Sequence, residues 1–390
     1  MSNYTTWPKG GQDITPVVDS DKNHYLTMPK VIQFELSSNC NANCIGCSRA
    51  DPLDDLRLNP AIEKNKFLGI DIFKKIVNAK RFEHATEIQF CGSIDDPPMH
   101  PQFLEMLEYL VANTKLHIII HTNGSLRTPD YWAQMGKILQ SHKHTVNFSI
   151  DGLSETNHIY RRGTNFEKII ENAVAYIEAG GLAQWQMVVF PWNAHQVEEA
   201  KEYSQSLGFS KFKERPDTCL DNMDLDKLHL RVKMEQTRSD WDWDRYVQSM
   251  SDQERHNGDI QCKSGRDELA YFIAHTGEMF PCCFLYNVRY QVIHFPEHTK
   301  RYEDAYGKNW NNAYYHDPDD IMSGPFFSND LTVSWNNRNH GGKLPTDCNP
   351  ICTNTCIKSR RGRWENKHVS TNLHTNEIVE VDKNKWIKYD

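Results

Sequence analysis

The sequence predicts an α/β protein with a partial (β/α)6 barrel followed by a small α+β domain. Three observations predict this fold. Short apolar runs alternate with helical patterns over residues 30–216, the alternation ends near residue 216, and cysteines gather near the start and in the last third. Strands separated by single helices form βαβ units and a parallel sheet. About six units fit here, too few for an eightfold barrel, and a doubly wound sheet is the alternative.

The predicted strands are short runs rich in β-branched residues, and the helices repeat apolar residues at three- and four-residue intervals. The strand runs are Lys30–Leu36, Glu87–Gly92, Leu116–His121, Val146–Ile150, Gln186–Phe190 and a weaker Phe209–Lys213. Amphipathic helices begin near Phe103 and Phe166. Thr128-Pro129 predicts the N-cap and first residue of another helix. Thr164-x-x-Glu167 predicts a capping box for the helix that begins near Phe166.

The composition predicts a folded, soluble chain. Of 390 residues, 38% are hydrophobic and 25% are charged, and 44 Lys and Arg against 52 Asp and Glu give a net charge of −8. A mildly acidic chain argues against a nucleic-acid partner. No apolar run approaches the ~18 residues of a membrane span, and the first 30 residues lack the apolar segment of a secretion signal. We therefore expect a cytoplasmic protein that does not bind membranes.

The first cysteine group has the spacing of an iron–sulfur loop. In a reducing compartment, the eleven cysteines favour metal ligation or catalysis over disulfides. Cys40-x3-Cys44-x2-Cys47 directly follows the first predicted strand. Three thiolates on one short loop can hold three irons of a [4Fe–4S] cluster and leave the fourth iron open for a substrate. A structural zinc site is the alternative, but zinc sites commonly use paired C-x2-C units, and no partner pair lies nearby in the sequence.

This loop and the predicted barrel resemble the radical SAM superfamily over residues 30–216. In that family, a CX3CX2C loop follows the first strand of a partial TIM-like barrel and holds a [4Fe–4S] cluster. Its open iron binds S-adenosylmethionine, and one-electron reduction yields a 5′-deoxyadenosyl radical that abstracts hydrogen from a substrate. The resemblance implies that Cys40, Cys44 and Cys47 are the catalytic and metal-binding residues. It also implies an electron donor similar to flavodoxin or ferredoxin.

Turns after the other strands resemble the family's S-adenosylmethionine contacts, at the strand ends where barrel enzymes place their chemistry. The turn at 91–97 is similar to the family's Gly-Gly-Glu-Pro turn, with Asp96 in place of Glu and Asp95 in place of the preceding Gly. An arginine in the Tyr160–Gly163 segment would pair with the methionyl carboxylate. Gly46 stands where many members have an aromatic residue against the adenine, so that packing must come from elsewhere. The implied cofactor contacts are Gly92, Ser93, Asp96, Asn123, Ser149, Asp151, Arg162 and Val189.

The second cysteine group resembles the SPASM and twitch extensions of radical SAM enzymes, which hold auxiliary [4Fe–4S] clusters. Gly277-x4-Cys282 predicts a hairpin, and the full SPASM cysteine block is absent, so the count favours one auxiliary cluster. The small α+β domain is therefore expected to be an iron–sulfur domain, with a structural zinc as the alternative. Cys283 falls on the opposite strand face and is not an expected ligand. The ligands are Cys262 and Cys282 with two of Cys348, Cys352 and Cys356.

The predicted organisation has five parts. They are an N-terminal extension (1–29), the radical SAM core (30–216), a linker with one helix (217–258), the auxiliary-cluster domain (259–365) and a C-terminal tail (366–390). Radical SAM peptide modifiers often carry a separate N-terminal recognition domain, and the short segment before the first strand is too small for one. This favours a small-molecule, nucleotide or short-peptide substrate.

The family resemblance leaves the reaction open. An auxiliary cluster that accepts an electron makes a net two-electron oxidation the main hypothesis, with epimerisation or isomerisation as an alternative within the family. A metal-stabilised binding protein with a degenerate cofactor site is a second alternative, supported by Asp95 and Gly46. An electron-transfer iron–sulfur protein is a third, but it would need four protein ligands where three are visible.

Overall fold

We describe the chain from a computed structural model. The described residues are 29–44, 47, 49–51, 54–59, 62–141, 144–190, 192–216, 270–283, 285–286, 296–336, 344–347, 352, 368–371 and 378–381. The predicted N-terminal extension up to residue 28 and the predicted linker lie outside them. Gly46 and the predicted ligands Cys262, Cys348 and Cys356 also lie outside the described residues.

The elements alternate along the chain as the sequence predicts. The strands are β1 Val31–Phe34, β2 Ala50–Asp51, β3 Asp54–Leu58, β4 Glu87–Phe90, β5 His117–Thr122, β6 Thr145–Ser149, β7 Ala183–Val189, β8 Lys211–Pro216, β9 Ala270–Ile273, β10 Met279–Phe280, β11 His368–Thr371 and β12 Ile378–Val381. The helices are α1 Ile70–Val77, α2 Phe103–Asn113, α3 Pro129–Ile138, α4 Asn157–Tyr160, α5 Phe166–Glu178, α6 Val197–Ser206, α7 Pro296–Tyr306, α8 Pro318–Ser323 and α9 Leu331–Asn336.

One mostly parallel sheet organises the fold. Its strand order is β10-β9-β1-β4-β5-β6-β7-β8. Every neighbouring pair from β9 to β8 in this order is parallel. The edge strand β10 pairs antiparallel with β9. The six predicted strands are all present, and the sixth begins two residues later than predicted. The α/β class and the partial-barrel prediction are therefore confirmed.

The outer face of the sheet, which carries alternate residues of each strand, is apolar and covered by helices. Phe34 of β1 packs on Phe73 of α1 with ring centroids 5.0 Å apart, and Trp132 of α3 packs on Phe148 of β6 at 5.1 Å. All four side chains are fully buried. Burial of each ring contributes about 2–3 kcal/mol, so this face holds the sheet and helices together.

The opposite face of the sheet, which we call the inner face, is polar along most of its width. Gln33, Gln89, His121 and Gln186 occupy alternate strand positions there and are half-buried. Gln33 Nε2 donates to Gln89 Oε1 at 3.0 Å, which links β1 to β4 across this face. Helices cover the outer face and the inner face carries polar groups, so the arrangement corresponds to a partial barrel rather than a doubly wound sheet.

The predicted hairpin near Gly277 belongs to this sheet, which the sequence does not indicate. β9 lies beside β1, with Val31 paired to Ala270, and β10 turns back beside β9. Gly277 makes the turn with a φ of 88°, in the left-handed region that favours glycine. Strand β1, which precedes the cysteine loop, is therefore paired on both sides.

Of the two predicted helix starts, the structure confirms one and contradicts the other. Thr128 and Pro129 occupy the N-cap and first position of α3, so that prediction is confirmed. The capping box at Thr164 is wrong, because Asn165 is the N-cap of α5 and its side chain accepts from the Lys168 N–H at 2.7 Å. The Thr164 hydroxyl instead donates to the Arg161 carbonyl at 2.7 Å, within the preceding turn. None of the helices in the described part of the chain has the length and apolar character needed to cross a membrane.

Candidate active site

The cysteine loop leaves the carboxyl end of β1. Cys44 is buried with 8% of its surface exposed, and Cys40 and Cys47 are half-buried. Burial raises the pKa of the Cys44 thiol to about 11 and also raises the pKa values of Cys40 and Cys47. Metal coordination deprotonates a thiol outright, so bound iron would offset the cost of burying these sulfurs as thiolates.

Polar groups from neighbouring strands surround the loop. The Ala42 N–H donates to Cys40 Sγ at 3.4 Å, and Asn123 Nδ2 lies 3.7 Å from the same sulfur. Arg161 Nη1 lies 3.9 Å from Cys44 Sγ. Hydrogen-bond donors and a positive charge directed at sulfur stabilise thiolates, as a cluster site requires.

The described side chains include no group of three His, Cys, Asp or Glu residues placed to hold one metal ion. A mononuclear zinc site needs such convergence, because its ligands surround a single atom. A [4Fe–4S] cluster differs, since each of its thiolates binds a different iron.

A buried ion pair lies beside the loop. Arg161 Nε donates to Asp151 Oδ2 at 2.6 Å; Asp151 is fully buried, and 18% of the Arg161 side chain is exposed. Asp151 Oδ1 accepts the Val188 N–H at 2.6 Å, which fixes the carboxylate between β6 and β7. Arg162 is the arginine of this segment among the predicted cofactor contacts, but the structure brings the guanidinium of Arg161 to Cys44. The Arg162 carbonyl accepts the Asn43 N–H at 2.7 Å and so helps to position the loop.

Asp96 presents a carboxylate oxygen without a protein partner. Asp96 Oδ1 accepts the Asn123 N–H at 3.0 Å, whereas Oδ2 is buried and has no hydrogen-bond partner among the described residues. Burial raises the pKa of Asp96 to about 6, against the opposing effects of Thr122, the Asn123 N–H and Arg161. A buried acceptor without a partner is costly, and a bound cationic group would satisfy it.

Two buried carboxyl groups join the cysteine-bearing end of β1 to the turn that contains Asp96. Glu35 accepts the backbone N–H groups of Ser93, Ile94 and Asp95 at 3.1, 2.9 and 2.6 Å. In return, Asp95 Oδ2 accepts the N–H groups of Leu36 and Ser37 at 2.9 and 3.0 Å. Burial and the Glu35 charge raise the pKa of Asp95 well above its usual range. Asp95, which departs from the family's glycine, therefore has a structural role that its sequence position does not reveal.

The predicted cofactor contacts lie at the carboxyl ends of adjacent strands. Gly92 has a φ of 60°, and a Cβ there would lie 3.0 Å from the Asp95 carbonyl, so the turn requires glycine. The structure places the predicted residues after β4 (Gly92, Ser93, Asp96), after β5 (Asn123), at and after β6 (Ser149, Asp151), after α4 (Arg162) and at the end of β7 (Val189). Parallel strands end at one edge. There Asp96 bonds to Asn123, Asn123 lies at Cys40, and Asp151 is linked to Cys44 through Arg161.

An aromatic cluster packs against the loop where Gly46 offers no ring. Tyr160 and Phe190 have ring centroids 4.7 Å apart, and Phe190 and Trp192 stack at 4.6 Å with planes 12° apart. These three side chains form one buried cluster with Cys44, against which Cys47 packs. Trp192 Nε1 is buried and has no hydrogen-bond partner among the described residues. Trp192 is not among the predicted cofactor contacts, although its position after β7, in the run Phe190-Pro-Trp, was a signal that could have indicated it.

The second cysteine group is described only in part. Cys282 and Cys352 are buried, with 9% and 7% of their surfaces exposed. Cys282 belongs to the main core cluster, whereas Cys283 packs against a smaller cluster around Phe272 on the inner face. Adjacent cysteines thus face different surroundings, as the alternation of side chains along the chain predicts.

The fold and the site define a partial-barrel protein with a three-cysteine loop at the carboxyl end of its first strand. Residues 34–203 match the family model of the Radical SAM superfamily. The chain thus carries a radical SAM domain over these residues, and this domain indicates an enzyme that uses a [4Fe–4S] cluster and S-adenosylmethionine.

The chain is also similar to individual proteins. The tungsten-containing aldehyde ferredoxin oxidoreductase cofactor-modifying protein of Pyrococcus furiosus is 27% identical over 189 residues, 46% of this chain. The chain matches 49% of that curated relative, about half of its length. Streptococcus suis SuiB bound to its precursor peptide SuiA has a TM-score of 0.51 at 14% identity, covering 85% of this chain and 77% of SuiB. AdoMet-bound anSMEcpe has a TM-score of 0.48 at 16% identity, with coverages of 79% and 81%. At these identities, the structural likeness to SuiB shows the fold alone.

Proposed function

We propose that this protein is a radical SAM oxidoreductase that uses an auxiliary [4Fe–4S] cluster to complete a net two-electron oxidation of its substrate. The observation that carries the S-adenosylmethionine part is the set of charged and polar groups around the cysteine loop. Arg161 lies against Cys44, Asn123 lies against Cys40, and Asp96 has an unpartnered oxygen.

These residues fit the cluster and its ligand. Cys40, Cys44 and Cys47 would hold three irons, and the cluster with bound S-adenosylmethionine would supply the 5′-deoxyadenosyl radical that abstracts a substrate hydrogen. The unpartnered oxygen of Asp96 would accept from the cationic methionyl amine, because a buried carboxylate stabilises an ammonium group strongly. Arg161 is the better placed of the two arginines to face the methionyl carboxylate, because its guanidinium already lies at the loop.

The aromatic cluster would keep water away from the cluster site. Phe190 and Trp192 stack closely and pack with Cys44, and both are buried. Water exclusion strengthens electrostatic contacts and protects a reactive intermediate from side reactions. The unpartnered Trp192 Nε1–H is also available to donate to an acceptor on the bound nucleoside.

The auxiliary cluster would accept the electron that the substrate radical releases after hydrogen abstraction. Cys282 and Cys352 are buried, which suits cluster ligands and argues against two surface thiols. The remaining ligands of this proposal lie outside the described residues. A flavodoxin- or ferredoxin-like protein is the proposed donor of the first electron.

The proposed substrate is a small molecule, a nucleotide or a short peptide. The Pyrococcus furiosus relative is a cofactor-modifying protein, which supports the first of these classes.

The experiment that tests this function is anaerobic reconstitution with iron and sulfide, followed by reduction with S-adenosylmethionine present. We expect about eight irons per chain, four for each cluster, together with 5′-deoxyadenosine. Cys44→Ala should abolish 5′-deoxyadenosine formation, whereas Cys282→Ala should lower the iron content towards four without abolishing cleavage.

Other results would contradict parts of the proposal. Four irons with 5′-deoxyadenosine would remove the auxiliary cluster and leave a radical SAM enzyme. Zinc alone, with no cleavage of S-adenosylmethionine, would indicate a metal-stabilised binding protein. Full activity of Cys44→Ala would refute the cluster assignment.

Epimerisation is the second candidate, and Cys91 is the observation that favours it. This thiol follows β4 on the inner face, and burial raises its pKa well above its usual value, so it stays protonated. A thiol can return a hydrogen atom to a substrate radical and become a thiyl radical, with no net oxidation. In deuterated water, an epimerase would incorporate deuterium into the product, and its Cys91→Ser variant would not. An enzyme that oxidises the substrate would release product without solvent deuterium, with or without this substitution.

A further inference from the structure

The inner face near the carboxyl ends of β6 to β8 carries cations beside neutral hydrogen-bonding groups. Ser149 pairs with Gln186 across β6 and β7, and Gln186 pairs with Lys213 across β7 and β8. Arg215 lies two residues further along β8, on the same face as Lys213. These side chains therefore form one patch on the inner face, which extends across β6, β7 and β8 and along β8.

Side-chain contacts hold this patch together. Lys213 Nζ donates to Asn147 Oδ1 at 3.3 Å. With its amide oxygen turned towards Arg215, Gln186 accepts from Arg215 Nε at 2.7 Å and from Nη2 at 3.2 Å. The neutral acceptors Asn147 and Gln186 orient the two cations without neutralising their charge.

The patch has an unbalanced positive charge. Across the described part of the chain, neither Lys213 nor Arg215 forms an ion pair with a carboxylate. Asp151, which follows β6, is already paired with Arg161. Burial and the charges of Lys211 and Arg215 lower the pKa of Lys213, as expected where cations crowd together.

His121 adds a neutral hydrogen-bonding group to the same patch. Burial, with the charges of Lys213 and Arg215, lowers the pKa of His121 to about 4. The imidazole is therefore neutral at pH 7 and has one donor and one acceptor nitrogen. Two cations, of which Lys213 is half-buried and Arg215 is exposed, and a neutral half-buried imidazole on the same face match the oxygen atoms of an oxyanion.

We propose that Lys213, Arg215 and His121 form a substrate-binding subsite for an oxyanion group, a carboxylate or a phosphate. The subsite deepens the proposed function and rests on it, because only that function makes the bound molecule the substrate. The substrate class is accordingly an anion-bearing molecule whose charged end lies against β8. Arg161 and Asp96, at the cysteine loop, remain available to S-adenosylmethionine.

Calorimetric titration of the reconstituted full chain with inorganic phosphate and, separately, with benzoate tests the subsite. We expect saturable binding of one probe per chain, and the probe that binds more tightly distinguishes a phosphate-bearing from a carboxylate-bearing substrate. Lys213→Gln and Arg215→Gln should each weaken this binding about tenfold or more, since each removes a charge-assisted contact. Lys137→Gln is the matched control, because Lys137 is exposed on α3 and loses the same charge.

The design also separates folding and cofactor effects from anion binding. Arg215→Lys keeps the charge but not the fork of donors, so it should bind the anion more tightly than Arg215→Gln and less tightly than the wild type, an order that a folding defect alone would not produce. Binding should persist in the presence of S-adenosylmethionine. Absence of saturable binding, equal affinity in all variants, or displacement by S-adenosylmethionine would each overturn the subsite.

Failure of the subsite and failure of the proposed function give different results. Cys44→Ala should lose 5′-deoxyadenosine formation and keep wild-type anion affinity. Anion binding by a wild-type protein that never cleaves S-adenosylmethionine would support the subsite and refute the enzyme assignment. Cleavage without anion binding would refute the subsite alone.

Discussion

Asp95 offers a direct test of how the cysteine loop is held to the neighbouring turn. Its Oδ2 atom accepts the backbone N–H groups of Leu36 and Ser37, and all three residues are buried. Asp95→Ala removes this acceptor and leaves both donors buried without a partner. Each such donor costs about 1–3 kcal/mol, so the local opening free energy should fall by at least about 2 kcal/mol.

Asp95→Asn should behave differently. A single amide oxygen can accept both N–H groups, as Oδ2 does in the wild type. Burial and the Glu35 charge raise the pKa of Asp95 well above its usual range, which favours the neutral carboxyl, and the neutral amide resembles that form. The cost of this substitution should stay below about 1 kcal/mol.

Hydrogen exchange of the peptide that spans Leu36 and Ser37 measures the difference. A loss of about 2 kcal/mol corresponds to about thirtyfold faster exchange in Asp95→Ala, against less than about fivefold in Asp95→Asn. Asp71→Ala is the control, since Asp71 is exposed in the first turn of α1. Equal acceleration in the Ala and Asn variants would show that Asp95 acts as a charged carboxylate. Unchanged exchange in Asp95→Ala would show that other contacts hold the loop.

Three further predictions follow from the site and the hairpin. Arg161→Gln leaves its buried carboxylate partner unpaired and should lower the free energy of unfolding by about 3–5 kcal/mol; urea titration checks this, and a similar loss in Arg162→Gln would contradict it. Gly277→Ala should destabilise the protein in thermal unfolding more than Gly307→Ala does. Both positions have φ near 90°, but only at Gly277 would a Cβ meet a tyrosine ring, at 2.5 Å. Because the pKa of Asp96 is raised to about 6, the folded state binds this proton more tightly than the unfolded state does. Proton binding by Asp96 stabilises the fold by about 3 kcal/mol below pH 3.8, and this stabilisation is lost as the pH rises through about 6. Asp96→Asn in the cluster-free protein should flatten the urea-unfolding profile between pH 4 and 7, and a wild-type profile without this decline would refute the assignment.

Much of the core could be predicted because hydrophobic periodicity reports which residues are buried. The run from Ile32 to Leu36 alternates between apolar and polar side chains, and the structure places Ile32 and Phe34 in the core as that alternation requires. The cysteine loop could be located because its spacing is local. Helix α5 was misjudged at its start because the Thr164 hydroxyl bonds backward to a carbonyl, and competition between two local partners leaves no periodic signal.

The remaining features depend on contacts between distant residues. Nothing in the run 270–273 indicates that it pairs with β1, because an apolar run is equally suited to a hairpin in a separate domain. The reciprocal bonds of Glu35 and Asp95 join residues 60 positions apart, and an acidic residue near a strand end has no sequence signature for such a partner. Arg161 and Arg162 are adjacent, and only the backbone path after α4 decides which guanidinium reaches Cys44.

The pairing of β9 with β1 also sets an order of events during synthesis of the chain. The ribosome completes β1 long before it reaches Ala270, the residue that pairs with Val31. At 5–20 residues per second, roughly 12–48 seconds separate the two strands. During that interval, one edge of β1 has unsatisfied backbone groups, which is the feature that promotes strand addition by other chains. Among β1 and β4 to β7, the strand that leads into the cysteine loop is thus the last to gain its second neighbour, and early termination after β8 would leave that edge permanently open.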